Sequence, residues 1–148
     1  MKLAGYRLTT NLDHKELEIR FMHYFGRLGW KTWRWLDYEI GAVGSKDFNW
    51  LWIILLLFNL LAVISLFLYW ALTGRNKIRI IKGEQTGLYY VDTEGRTASL
   101  ELVKFAEFIN AGLERTWTGS RLTIGEVICY LTVVFIVLFY VVLFLAIL

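Results

Sequence analysis

Residues 48–74 read FNWLWIILLLFNLLAVISLFLYWALTG, and residues 127–148 read VICYLTVVFIVLFYVVLFLAIL; neither stretch holds a charged side chain. At about 1.5 Å of rise per residue, either run in helical form is long enough for a hydrocarbon core of roughly 30 Å. The sequence therefore predicts a mainly α membrane protein with two transmembrane helices, one over 48–73 and one over 124–148. Trp50 and Trp52 at one end of the first run, and Tyr69 and Trp70 at the other, match the aromatic belts that mark membrane interfaces. Composition agrees, since 57% of the residues are hydrophobic against about 45–50% in soluble chains.

Outward from these runs, residues 1–47 read as an amphipathic, Trp-rich arm. Asp13 and Glu16 have capping-box spacing, and Leu17, Phe21, Tyr24, Phe25 and Leu28 recur at helical spacing, with Glu16 placed to pair with Arg20. Gly26 and Gly29 end that helix. Trp30, Trp33, Trp35 and Tyr38 then alternate with Lys31 and Arg34, a mixture suited to headgroups, so the arm is expected to lie along the membrane surface. Gly41 and Gly44 read as a bend into the first span, with Ser45 as its N-cap. No apolar core precedes this point, so the first span would serve as its own insertion signal.

The polar connector, 74–123, opens with the alternation Lys77-Ile78-Arg79-Ile80-Ile81-Lys82, then a Gly83–Gly87 turn and Leu88-Tyr89-Tyr90-Val91-Asp92, which together read as a hairpin. Ser99 is the expected cap of a helix presenting Leu102, Ala106, Ile109 and Leu113 and ending at Gly112, giving a small ββα unit. Tyr89–Asp92, Gly95-Arg96, Ser99–Glu101 and Asn110–Gly112 resemble parts of GYF-like peptide-binding modules. The Gly-Pro pair of such modules is missing, and no family is assigned. Arg75, Lys77, Arg79, Lys82, Arg115 and Arg121 flank the spans on the connector side, against Lys31, Arg34 and Lys46 on the arm. The positive-inside rule then places the connector in the cytoplasm and both termini opposite.

Polar groups inside the apolar runs are the candidate functional positions. Asn59 and Ser65 in the first run need partners at bilayer depth. Gly125, Cys129 and Thr132 form a small-residue face on the second, where Glu126 stands in the first turn. These groups serve helix packing or, alternatively, line a path through the membrane. Chemistry elsewhere is sparse. Cys129 is the lone cysteine, His14 and His23 lack a third ligand, and Ser45, Ser65, Ser99 and Ser120 have no nucleophile elbow or neighbouring histidine. Neither a catalytic site, a cofactor nor a metal is expected. The net charge of +3 is spread through alternating acids and bases, which argues against nucleic acid as partner. The sequence thus points to a non-catalytic accessory subunit of a multi-subunit membrane complex, with other subunits and lipids as partners and a homo-oligomer possible. A self-assembling channel lined by Asn59, Ser65 and Glu126, or a membrane-tethered recognition module, are the alternatives.

Overall fold

Alternation of buried and exposed positions, the period-2 signature of a half-buried strand, recurs in the segments on both sides of the first apolar run. The computed structural model describes residues 1–57 and 63–147, so Asn59 lies outside the described residues. In chain order it contains β1 (Lys2–Thr9), α1 (His14–Arg27), β2 (Lys31–Trp35), β3 (Glu39–Lys46), α2 (Trp50–Leu57), α3 (Val63–Leu72), β4 (Arg75–Lys82), β5 (Leu88–Glu94), α4 (Arg96–Phe108), β6 (Gly112–Ser120) and α5 (Ile124–Ile147). Two compact units result: residues 1–47 with 74–121, and residues 48–73 with 122–148.

The first unit is a six-stranded antiparallel sheet of order β2-β3-β4-β5-β1-β6. Register lines up one apolar face: Tyr6 opposes Val91, Val91 opposes Ile80, and Ile80 opposes Ile40. Leu17, Phe21 and Phe25 of α1, spaced four apart, and Leu102, Phe105 and Ala106 of α4 cover that face and complete the core. Burying each large apolar side chain of this kind contributes about 1.5–3 kcal/mol relative to exposure. Phe21, Phe25 and Phe105 meet at ring-centroid distances of 4.5–5.6 Å, within the range in which aromatic pairs add stability beyond their area.

The six-stranded sheet overturns the expectation of a mainly α, two-span protein, although the second apolar run is a helix of spanning length. The arm is not an interfacial strap: α1 packs on the sheet and Lys31–Trp35 forms β2. Nor is the connector a separate ββα unit, because β4, β5, α4 and β6 share one sheet with β1, β2 and β3. The first apolar run does not read as a span either. It is inserted between β3 and β4, which pair with each other down to Lys46↔Arg75. Both ends of the insertion thus leave neighbouring positions of one sheet. Within the second unit, Tyr69 near the end of α3 returns to Asn49 before α2, accepting its backbone N–H at 2.6 Å. One continuous helix would separate residues 49 and 69 by about 30 Å. An apolar run long enough to cross once is also long enough to double back, and hydropathy alone does not separate the two.

Among the described residues one helix, α5, is long and apolar enough to cross a membrane, by length and composition. Multi-pass localisation with arm and connector on opposite sides falls with the two-span reading, because arm and connector form one unit.

Candidate functional site

Asp47 ends β3's side of the sheet as a polar hub. Its Oδ2 accepts the backbone N–H groups of Arg96 at 2.7 Å and Thr97 at 3.2 Å, and its Oδ1 accepts the Thr97 hydroxyl at 2.6 Å and Asn76 Nδ2 at 2.8 Å. Asn76, 1% exposed, also donates Nδ2 to the Ser45 carbonyl at 2.7 Å and accepts the Ala98 N–H at 3.1 Å. The orphan N–H groups of α4's first turn are thus satisfied by side chains from β3's end and β4. Burial pushes the Asp47 carboxyl upward, but the hydrogen bonds from Thr97, Asn76 and the Thr97 and Arg96 backbone outweigh it and hold the pKa below the usual value. A carboxylate accepting four hydrogen bonds is a structural clamp with little capacity left for proton transfer.

The other face of the sheet carries no helix of its own unit. Across it runs a single row in register, Trp117, Gly5, Asp92, Arg79, Gly41 and Trp33. The indoles of Trp117 and Trp33 lie where Cβ atoms on Gly5 and Gly41 would project, so only glycine at those positions lets the rings lie flat on the strand. Lys77 sits 5.5 Å from the Trp33 ring, a cation–π distance. Arg79 grips buried Glu39 with Nε and Nη2, both at 2.7 Å. Around this pair the face carries Lys77, Asp92 and the Arg7–Glu114 ion pair among open aromatic rings: Trp35 is 63% exposed, Trp117 48% and Tyr90 47%. Such a mixture of rigid rings and paired charges suits recognition of another surface.

In the second unit, Gly125 of α5 packs on the backbone of Tyr69, where a Cβ would come within 3.0 Å of its carbonyl oxygen. Cys129 is fully buried with Trp52 and Tyr69, and the Ser65 and Thr132 hydroxyls share a hydrogen bond of 2.7 Å, so the small-residue face of α5 meets α3. Glu126 accepts the Thr123 backbone N–H at 2.8 Å while the Thr123 hydroxyl accepts the Glu126 N–H at 3.2 Å. That reciprocal pair is a capping box, and its Thr-x-x-Glu signal stands in the sequence. Trp50 and Trp70 are exposed, whereas Trp52 and Tyr69 are buried.

Sequence-based site residues are thus divided between the units. Trp30 is buried against Phe25 and over Gly44, Trp33 and Trp35 belong to the open sheet face, and Ser65, Gly125, Cys129, Glu126 and Thr132 gather on the α3–α5 side of the second unit. Asp47, Asn76 and Tyr6 escape a local reading, because the partners that define them lie far away along the chain. His14 stacks on Tyr89 at 5.9 Å, with both ring nitrogens buried and unpartnered among the described residues. No cluster of three His, Cys, Asp or Glu among the described residues is placed to hold a metal. No known protein family matches this chain, and no curated protein matches it either.

Proposed function

We propose that this chain is a membrane-anchored, non-catalytic accessory subunit that docks on another membrane-protein subunit through the helix-free face of its sheet. The observation that carries this reading is that face: six strands wide, uncovered within its unit, and studded with Trp35, Tyr90 and Trp117. The anchor in this reading is α5, whose apolar side chains between Val134 and Ile147 are largely exposed within the unit. Partnering of Ser65 by Thr132 and of Glu126 by Thr123 favours an anchor over a lined path, since both polar groups are engaged inside the chain.

The test is purification from native membranes in mild detergent. The wild-type chain is expected to co-migrate with unlike subunits. The triple variant Trp35→Ser, Tyr90→Ser, Trp117→Ser should reach the membrane at normal levels and lose those subunits, because exposed aromatic anchors carry most interface energy. A chain that purifies alone, or a triple variant that keeps its partners, would sink the proposal.

A further inference from the structure

We propose that the groove between α4 and β6, on the helix-covered side of the sheet, binds a phosphate-bearing anion. The groove has a volume of about 600 Å³ and is lined by Lys2, Tyr6, Arg96, Ser99, Arg115 and Thr118 together with apolar neighbours; no carboxylate lines it. Three cations therefore converge on one space, and none of them is held in an ion pair among the described residues. An acid on that side, Glu107, lines the adjoining groove that shares Tyr6 and Arg115, so within this groove the exposed cations present a net positive lining that an anion would match.

The local structure builds this lining deliberately. Pairing of β1 with β6 shifts between Gly5 and Tyr6, so that Gly5 opposes Trp117 while Tyr6 opposes Arg115, leaving Thr116 as the extra residue of a bulge. Bulges re-aim side chains. Here the shift sends Trp117 to the open face over Gly5 and brings Thr118 and Ser120 to the groove beside Arg115. Arg115 is further held 5.5 Å over the Tyr6 ring. Tyr6 is 3% exposed, and its hydroxyl has no hydrogen-bond partner among the described residues, a condition that is rare for buried polar groups. The α4 N–H groups are already occupied by Asp47 and Asn76, so the side-chain cations supply the attraction.

Arginine forks match phosphate oxygens geometrically. The volume falls within the range of small-molecule sites, about 300–1,000 Å³. It leaves space beside Leu3 and Leu100 for more than the phosphate itself. A phospholipid headgroup and a soluble phosphate ester share this chemistry.

The experiment titrates the full chain in nonionic detergent with inorganic phosphate, short-chain phosphatidylglycerol or short-chain phosphatidylcholine at matched ionic strength, reading binding by calorimetry. Saturable binding of phosphatidylglycerol but not of phosphatidylcholine or phosphate assigns the lipid source; saturable binding of inorganic phosphate assigns the soluble one. In either case Arg96→Gln and Arg115→Gln should each weaken binding about tenfold. Lys15→Gln and Arg27→Gln on α1, which remove the same charge elsewhere, should leave binding unchanged. Arg96 is exposed, so its variant keeps the test valid even if the Arg115 variant fails to fold. Absence of saturable binding, equal binding of phosphatidylcholine, or equal losses in the α1 variants would overturn the proposal.

Discussion

Asp47 caps a helix that begins 49 positions later in the chain, at Arg96, and it does so with hydrogen bonds that a protonated carboxyl could not fully make. The sign of its pH dependence follows from its lowered pKa. A carboxyl depressed in the folded state contributes stability that is complete above the ordinary carboxylate pKa, about 4, and drains away as pH falls through the lower folded value. Asp47→Ala should therefore lower stability at neutral pH by about 2 kcal/mol, the combined scale of a lost cap and lost charge-assisted bonds. The gap between wild type and variant should narrow below about pH 4. Urea midpoints measured at neutral and at acid pH check this, and a gap that stayed constant would contradict it. Gly95, at the cap of α4, has φ +101°, and a Cβ there would land on the Asn76 oxygen, so the same network also fixes a glycine.

Among the elements, those whose signal is local were legible and those whose signal is tertiary were not. The alternation from Lys77 to Lys82 and the glycines after it specify the β4–β5 hairpin. Spacing from Leu17 to Phe25 specifies α1, but spacing cannot say whether the apolar stripe meets lipid or a sheet, and here it meets the sheet. In β3, Gly41 and Gly44 read as a bend because glycine is rare inside strands; their cause is the indoles of Trp33 and Trp30 lying against them. The same tryptophans read as interfacial anchors, so one contact accounts for two misreadings. β6 lacks apolar periodicity since it is an edge strand exposed along most of its length. Helix α5 was legible as an apolar helix, and its small-residue face as a packing surface, but not its partner. Gly125→Leu should test that packing: the added side chain meets the Tyr69 backbone, and overpacking costs about 1–3 kcal/mol. Thermal unfolding of the full chain in detergent should fall for this variant, while Ser65→Ala should shift it little, in line with about 0.6 kcal/mol for a hydrogen bond between membrane helices. Equal stability of Gly125→Leu and wild type would refute the close approach.

At the scale of the whole molecule, the chain interrupts an antiparallel sheet-and-helix unit with an apolar insertion and follows it with an apolar helix. Hydropathy sees the apolar parts first, and the polar parts then look like leftovers between spans. The pairing of β3 with β4 reverses that priority. Lys46 already opposes Arg75, so the sheet is closed across the insertion without needing it. The buried core of the first unit draws on α1, α4 and four of the six strands, with no described residue from 48–73 or 122–148. It follows that replacing residues 48–73 by a short Gly-Asn-Gly turn, keeping Asp47 as the α4 cap, and ending the chain at Arg121 should give a water-soluble domain. The turn would convert β3 and β4 into an ordinary hairpin, for which short glycine-containing loops are suited. The domain should unfold in one cooperative transition, show mixed helix and sheet circular dichroism, and retain the acid sensitivity ascribed to Asp47. Single domains of this size commonly fold alone. Should the shortened chain aggregate, or melt without a cooperative transition, the sheet would depend on the apolar unit, and the division of the molecule into two units would have to be abandoned.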